Sequence, residues 1–162
     1  MPPPPCDHPQ PGPRANRETA RQGEPQPRSL VGFQLVLAAE PPALSLIRDR
    51  LRQWLKTHQW PDPELEDLVL AVSEAASNVV EHAYPPGMWG NIEIDGRVTV
   101  VSGGARVAEL TVRDRGCWRP IPQRPENRRR GLPLMRAAVA ECIIDSTNQG
   151  TSVTMRGRPV GQ

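Results

Sequence analysis

No stretch of this chain stays apolar for the ~18 residues that a membrane-spanning helix needs. The N-terminus has no basic segment followed by an apolar run, so no secretory leader is expected and the cytoplasm is the expected location. Lysine is nearly absent: Lys56 is the only one, and every other base is arginine. The net charge is only +2, too small for a dedicated nucleic-acid binder, which must neutralise many phosphates with clustered bases. The three cysteines, Cys6, Cys117 and Cys142, are far apart, and none has a Cys or His neighbour at metal-ligand spacing. They read as reduced thiols in a reducing compartment.

With 162 residues, 37% of them hydrophobic, the chain is long enough for one domain with a real core. Its first 29 residues are a separate region. Pro2 to Pro5 form a run, followed by Pro9, Pro11, Pro13, Pro25 and Pro27 among Arg, Gln and Glu. Such a segment buries too little to offset its ordering entropy, so a disordered tail with a polyproline II bias is expected over 1–29. The domain proper is expected over 30–158.

Within it, LVGFQLVL over 30–37 has the apolar, β-favouring character of a strand. Pro41-Pro42 open a helix in which Leu44, Ile47, Leu51 and Leu55 recur at steps of three and four, marking one buried face to about residue 58. A second helix starts at Trp60-Pro61-Asp62-Pro63, with Asp62 as its cap, and is expected to run to about residue 83 with Leu68, Val72, Ala76 and Val79 as its apolar stripe. Residues 91–101 read as a strand with a bend near Asp95-Gly96. Gly103-Gly104 make a hairpin turn into a strand over 105–113. A loop over 117–130 is long for an ordinary connection, and such loops are often lids. A third helix is expected over 131–142, then short strands over 143–146 and 151–156. This order predicts an α/β fold: a two-layer sandwich of a mixed, mostly antiparallel sheet with its helices on one face.

Four features could carry chemistry. On the second helix Asp67, Glu74, Asn78 and Glu81 share one side at about 100° per residue. A solvated face has the same pattern. However, Asn is a poor mid-helix residue, and the Ala, Ser and Val around Glu74 and Asn78 leave room for a ligand. A carboxylate and an amide one turn apart suit phosphate and hard-cation chemistry, the amide binding Mg²⁺ and the carboxylate orienting or deprotonating a nucleophile. Asp114-Arg115-Gly116 follows a strand; the acid can accept a hydrogen bond from a ligand amine and the glycine permits close approach, although Asp-x-Gly is also a common turn. Arg128-Arg129-Arg130-Gly131-Leu132 opens the third helix, where free N–H groups favour an anion, and equally reads as a solvated basic loop. Gly150-Thr151 alone signals only a turn.

The order of these features is more specific than any one of them. LAVSEAASNVVEHAY over residues 70–84 resembles the asparagine box of the anti-sigma-factor serine/threonine kinases, members of the GHKL, or histidine-kinase-like, ATPase superfamily. Val112-Arg113-Asp114-Arg115-Gly116 resembles its first glycine box, Arg130-Gly131-Leu132-Pro133-Leu134-Met135 its second, and Gly150-Thr151 its closing Gly-Thr. The resemblance implies a Bergerat-type ATP-binding fold with ATP and Mg²⁺. In it Glu74 would be the general base that activates an acceptor serine. Asn78 would hold the Mg²⁺ that bridges the phosphates. Asp114 would bind the adenine amino group, with Gly116 allowing close approach. Arg130, Gly131 and Leu132 would meet the phosphates, Thr151 would lie near the adenine, and the loop 117–130 would be a short lid. His82 and Tyr84 are assigned to packing at the helix end. The implied partners are a sigma factor and a STAS-domain anti-anti-sigma protein, with no direct nucleic acid and no membrane, and a homodimer is a family expectation. Trp118 and Arg129 stand where the superfamily boxes often have glycine. They leave a second expectation: a partner-binding module of the same fold whose nucleotide is lost or regulatory.

Overall fold

The computed structural model describes residues 29–116 and 131–161. The proline-rich tail up to residue 28 and the loop 117–130, including Trp118, Arg129 and Arg130, lie outside the described residues. Five strands and three helices follow in the order β1 (Ser29–Ala38), α1 (Pro41–Thr57), α2 (Asp62–Asn78), β2 (Asn91–Val100), β3 (Arg106–Arg113), α3 (Gly131–Ala138), β4 (Glu141–Thr147) and β5 (Gly150–Arg156).

The strands form one sheet ordered β1-β2-β3-β5-β4. Every neighbouring pair among them is antiparallel, so the parallel pairing that a mixed sheet implies is not seen. The connections explain this. Two helices lie between β1 and β2, so the chain reverses three times and returns antiparallel. One helix lies between β3 and β4, which therefore run the same way, but β5 is inserted between them. The loop from β2 to β3 turns through Gly103 and Gly104, at φ 83° and 80°, a backbone region that L side chains avoid.

The helices cover one face. Ile47, Leu51 and Leu55 of α1 and Leu65, Leu68 and Val72 of α2 meet Ile92, Ile94, Leu110, Val112 and Met155 of the sheet, all essentially inaccessible to water. Each such side chain contributes roughly 1.5–3 kcal/mol by burial. The buried face of α2 is wider than the expected stripe and includes Val69, Ala71 and Ala75, because α1 and α3 flank it on either side. The other face of the sheet is mostly polar, with Val36 and Ile143 exposed on it. Arg97 pairs with Glu109 (2.6 Å), Arg113 with Asp95, and Arg115 with Glu93 (2.9 Å). Exposed pairs of this kind are worth only about 0–1 kcal/mol each, so they keep this face wet rather than hold the fold together.

Element ends differ most from expectation at three places. Asp62 is the first residue of α2 rather than its cap; Pro61 occupies the cap position and no side chain bonds there. After Asn78 the helix widens into a π-turn over Val79–Ala83. The third helix stops at Ala138 rather than residue 142, because Cys142 and Ile143 are taken up in pairing with Met155 and Thr154 of β5.

Beyond β5 the chain remains attached to the fold. Gly157 N–H donates to Ala108 O (2.9 Å), and Val160 pairs with Arg106 and is buried. Arg106 in turn closes the end of α1, donating to the carbonyls of His58 (2.5 Å), Gln59 (3.3 Å) and Gly161 (3.2 Å) with its guanidinium 5.4 Å from the centre of the Trp60 ring. Among the described residues no helix is long and apolar enough to cross a membrane.

Candidate functional site

Strand β3 delivers Asp114 to the floor of the helical layer. Residues 110 and 112 face the core, so 114 points the same way, and at 8% exposure Asp114 is the one buried acidic residue among those described. Its Oδ1 accepts the Gly116 N–H (2.9 Å) and the Thr151 N–H (3.3 Å), while its own N–H donates to Thr151 O (3.0 Å). Burial pushes the carboxyl above its ordinary value of 3.8, and the N–H bonds from Gly116 and Thr151 pull it back in part. A buried carboxylate held by two backbone donors keeps acceptor capacity for a ligand amine.

Two glycines make this turn fit. A Cβ on Gly116 would lie 2.0 Å from the carbonyl oxygen of Ala83, at the end of the π-turn. A Cβ on Gly150, at φ 130°, would lie 2.0 Å from the carbonyl oxygen of Asp114. Both obstacles are backbone and cannot swing away. Gly116→Ala is therefore expected to cost about 1–3 kcal/mol of stability by overpacking, read as a fall in thermal midpoint, and to displace the 114–116 turn from α2.

The second group lies on α2. Glu74 is half-buried, and a Cβ on Gly131 would fall 2.8 Å from Glu74 Oε2, so this carboxylate stands directly against the first residue of α3. Asn78 is exposed one turn further on, as the last α-helical residue before the π-turn. Leu132 is partly exposed at the same helix start. Free N–H groups and partial positive charge at a helix N-terminus favour an anion there.

Glu74 is thus brought to Gly131, and Asp114 to Gly116 and Thr151, and the two groups are linked by the packing of Gly116 on Ala83. A hollow of about 480 Å³ reaches Asp114, Gly150 and Thr151 from the side of Glu93, Arg113, Arg115 and Asp145, and Glu74, Asn78 and Gly131 do not line it. The other two acids assigned to the same side of α2 serve elsewhere. Asp67 pairs with Arg158 (3.0 Å), and Glu81 is exposed beside its neighbour His82 (3.5 Å). His82 is itself exposed rather than packed, because the π-turn changes the angular phase after Asn78. Tyr84 does more than fill space: its hydroxyl donates to Asn91 O (2.8 Å) and accepts the Arg115 N–H (3.1 Å), tying the end of α2 to β2 and to the 114–116 turn.

These elements make a one-sided antiparallel α/β sandwich in which a buried strand-end carboxylate with tight glycine contacts adjoins a helix start that faces a second carboxylate. Residues 37–157 match the histidine kinase-like ATPase domain family, and the chain belongs to that family. Among solved structures, it is similar to that of the RsbU and RsbW domains of Rv1364c from Mycobacterium tuberculosis, at 26% identity and a TM-score of 0.61 over 80% of this chain and 33% of that one. This chain therefore spans about a third of that chain's length. The histidine kinase domain of the blue-light activated histidine kinase of Erythrobacter litoralis EL346 is similar at 25% identity and a TM-score of 0.46, over 60% of this chain and 45% of that one. The family is one of histidine kinase-like ATPase domains, for which ATP is the nucleotide.

Proposed function

We propose that the domain is an ATP-dependent protein serine kinase and anti-sigma factor, which phosphorylates a STAS-type anti-anti-sigma protein and sequesters a sigma factor in the cytoplasm. The observation that carries the reading is the Glu74 carboxylate set against Gly131 at the mouth of α3. An acceptor serine brought there has a base within reach and a phosphate-binding helix start beside it. In the proposed reaction Glu74 takes the proton from the serine hydroxyl. The serine Oγ–P bond forms as the bond from the γ-phosphorus to the ADP oxygen breaks. Gly131 and Leu132 donate backbone N–H groups to the phosphates, as Arg130 does with its charge. Asp114 accepts the adenine amine, with Thr151 beside it.

Asn78 is the proposed Mg²⁺ ligand. Among the described residues no group of three or more His, Cys, Asp or Glu could hold a metal by itself. A lone amide suits a cation that arrives with the nucleotide, since Mg²⁺ is usually bound through few protein ligands plus substrate phosphates. When bound, Mg²⁺ neutralises charge on the transferring phosphate.

The test is transfer of the γ-phosphate of ATP to a STAS-domain anti-anti-sigma protein encoded beside this chain. Phosphoserine on that protein is expected. A wild-type domain that binds Mg-ATP yet transfers nothing would remove the kinase reading and leave the second one, a partner-binding module with regulatory nucleotide. Trp118 and Arg129, in place of box glycines, favour that second reading.

A further inference from the structure

Arg158, beyond the last strand, touches two helices at once. Its Nη2 donates to Ala137 O (2.8 Å) and its Nη1 to Ala138 O (3.5 Å), the last carbonyls of α3, while Nη1 also reaches Asp67 Oδ2 on α2 (3.0 Å). A guanidinium at a helix C-terminus satisfies carbonyls that have no partner within the helix and opposes their partial negative charge. The segment that carries it is fixed independently. Gly157 is bonded to Ala108 and packs on Leu68, and Val160 is bonded to Arg106 in both directions.

The other end of α3 is Gly131, against Glu74. Asp67 and Glu74 are two turns apart on α2, about 10 Å at 1.5 Å per residue, and α3 is the same length. The two helices therefore run antiparallel with their ends matched: Asp67–Arg158 at the C-terminus of α3 and Glu74–Gly131 at its N-terminus. Helix α3 has only two turns; Met135 and Ala138 seat it on α2, Ala140 N–H ties the following residues to Arg156 O (2.9 Å), and among the described residues Arg158 is the side chain that bonds its last carbonyls.

We infer that Arg158 and Asp67 are positioning residues that set the axial register of α3 on α2, and thereby the distance between the Gly131 N–H and the Glu74 carboxylate. This rests on the nucleotide reading of that helix mouth. Neither residue touches the reacting atoms. Loss of the clamp lets α3 slide or fray from its C-terminus, and the phosphate-binding end moves with it.

The experiment compares wild type with Arg158→Ala, Arg158→Lys and Asp67→Asn in the full chain, well below the thermal midpoint of each. Two readouts are taken: amide hydrogen exchange across 131–140 without nucleotide, and the dissociation constant for Mg-ATP by calorimetry. Arg158→Ala is expected to speed exchange in α3 selectively and to weaken Mg-ATP by about two- to fivefold, the range open to a half-exposed ion pair with two carbonyl contacts. Asp67→Asn, on an exposed site, is expected to do the same to a smaller degree. Arg158→Lys keeps the charge but not the fork, and is expected to recover only part of the loss. Folded Arg158→Ala and Asp67→Asn proteins that bind Mg-ATP as wild type does would overturn the positioning role. Should Arg158→Ala fail to fold, Asp67→Asn alone decides. Absence of Mg-ATP binding by wild type would instead sink the nucleotide reading and this inference with it, an outcome told apart by its being seen before any substitution is made.

Discussion

Glu74→Gln is expected to lower the rate of phosphoryl transfer by about 10²–10⁴-fold, the contribution of a positioned general base, without weakening Mg-ATP binding. Gln keeps the shape of the side chain, so the contact with Gly131 survives. What is lost is the negative charge and the ability to take the serine proton. Because the carboxylate stands beside the place proposed for phosphate, removing its charge should leave nucleotide affinity equal or slightly tighter. Single-turnover transfer to the STAS-domain partner measures the first effect, and calorimetry the second. Parallel loss of binding and rate would mean that Glu74 holds the nucleotide or the fold rather than acting as the base.

Asp114→Asn is expected to weaken Mg-ATP by about 10- to 150-fold, corresponding to ~1.5–3 kcal/mol for a hydrogen bond to a charged group, while leaving the protein as stable as before or more so. Asn retains an oxygen for the Gly116 and Thr151 N–H groups but turns an NH₂ towards the adenine amine, donor against donor. The stability effect follows from the direction of the carboxyl shift. Burial raises the folded-state value above 3.8, so the folded protein holds this proton more tightly than the unfolded chain. The favourable contribution is complete below the ordinary value and is lost as pH rises through the raised one. At neutral pH the ionised group is thus a burden that the neutral amide removes, a trade of stability for function at a binding site. Adenine recognition has the opposite dependence. The affinity advantage of wild type over Asp114→Asn should shrink as pH falls through the raised value, and thermal midpoints measured over the same range supply the stability half of the comparison.

Much of this was legible in the chain before any coordinates. The α1 stripe of Ile47, Leu51 and Leu55 and the β2–β3 hairpin through Gly103-Gly104 follow from spacing and turn chemistry alone, and both stand in the structure. The asparagine and glycine boxes led to the family. The misses have physical causes. The π-turn after Asn78 follows no periodicity rule, because Val79 and Val80 fit an α-helix equally well, so the exposure of His82 could not be foreseen. Asp67 shares a side with Glu74 on a helical wheel, but a wheel shows which side a residue faces and not which neighbour covers it; Arg158 lies 91 positions away in sequence. The early end of α3 depends on β4 pairing with β5, a contact between segments. Tyr84 carried one usable signal: it is the chain's only tyrosine, placed where the helix must stop at Pro85-Pro86.

The central claim is that Asp114 and its glycine turn bind the adenine of a magnesium nucleotide. Calorimetric titration of the full chain with Mg-ATP, beside Asp114→Asn of verified fold, tests it most directly. Saturable one-site binding by wild type, weakened about 10- to 150-fold in the variant, is the predicted result. Equal binding by the two proteins, or none by a folded wild type, would contradict it.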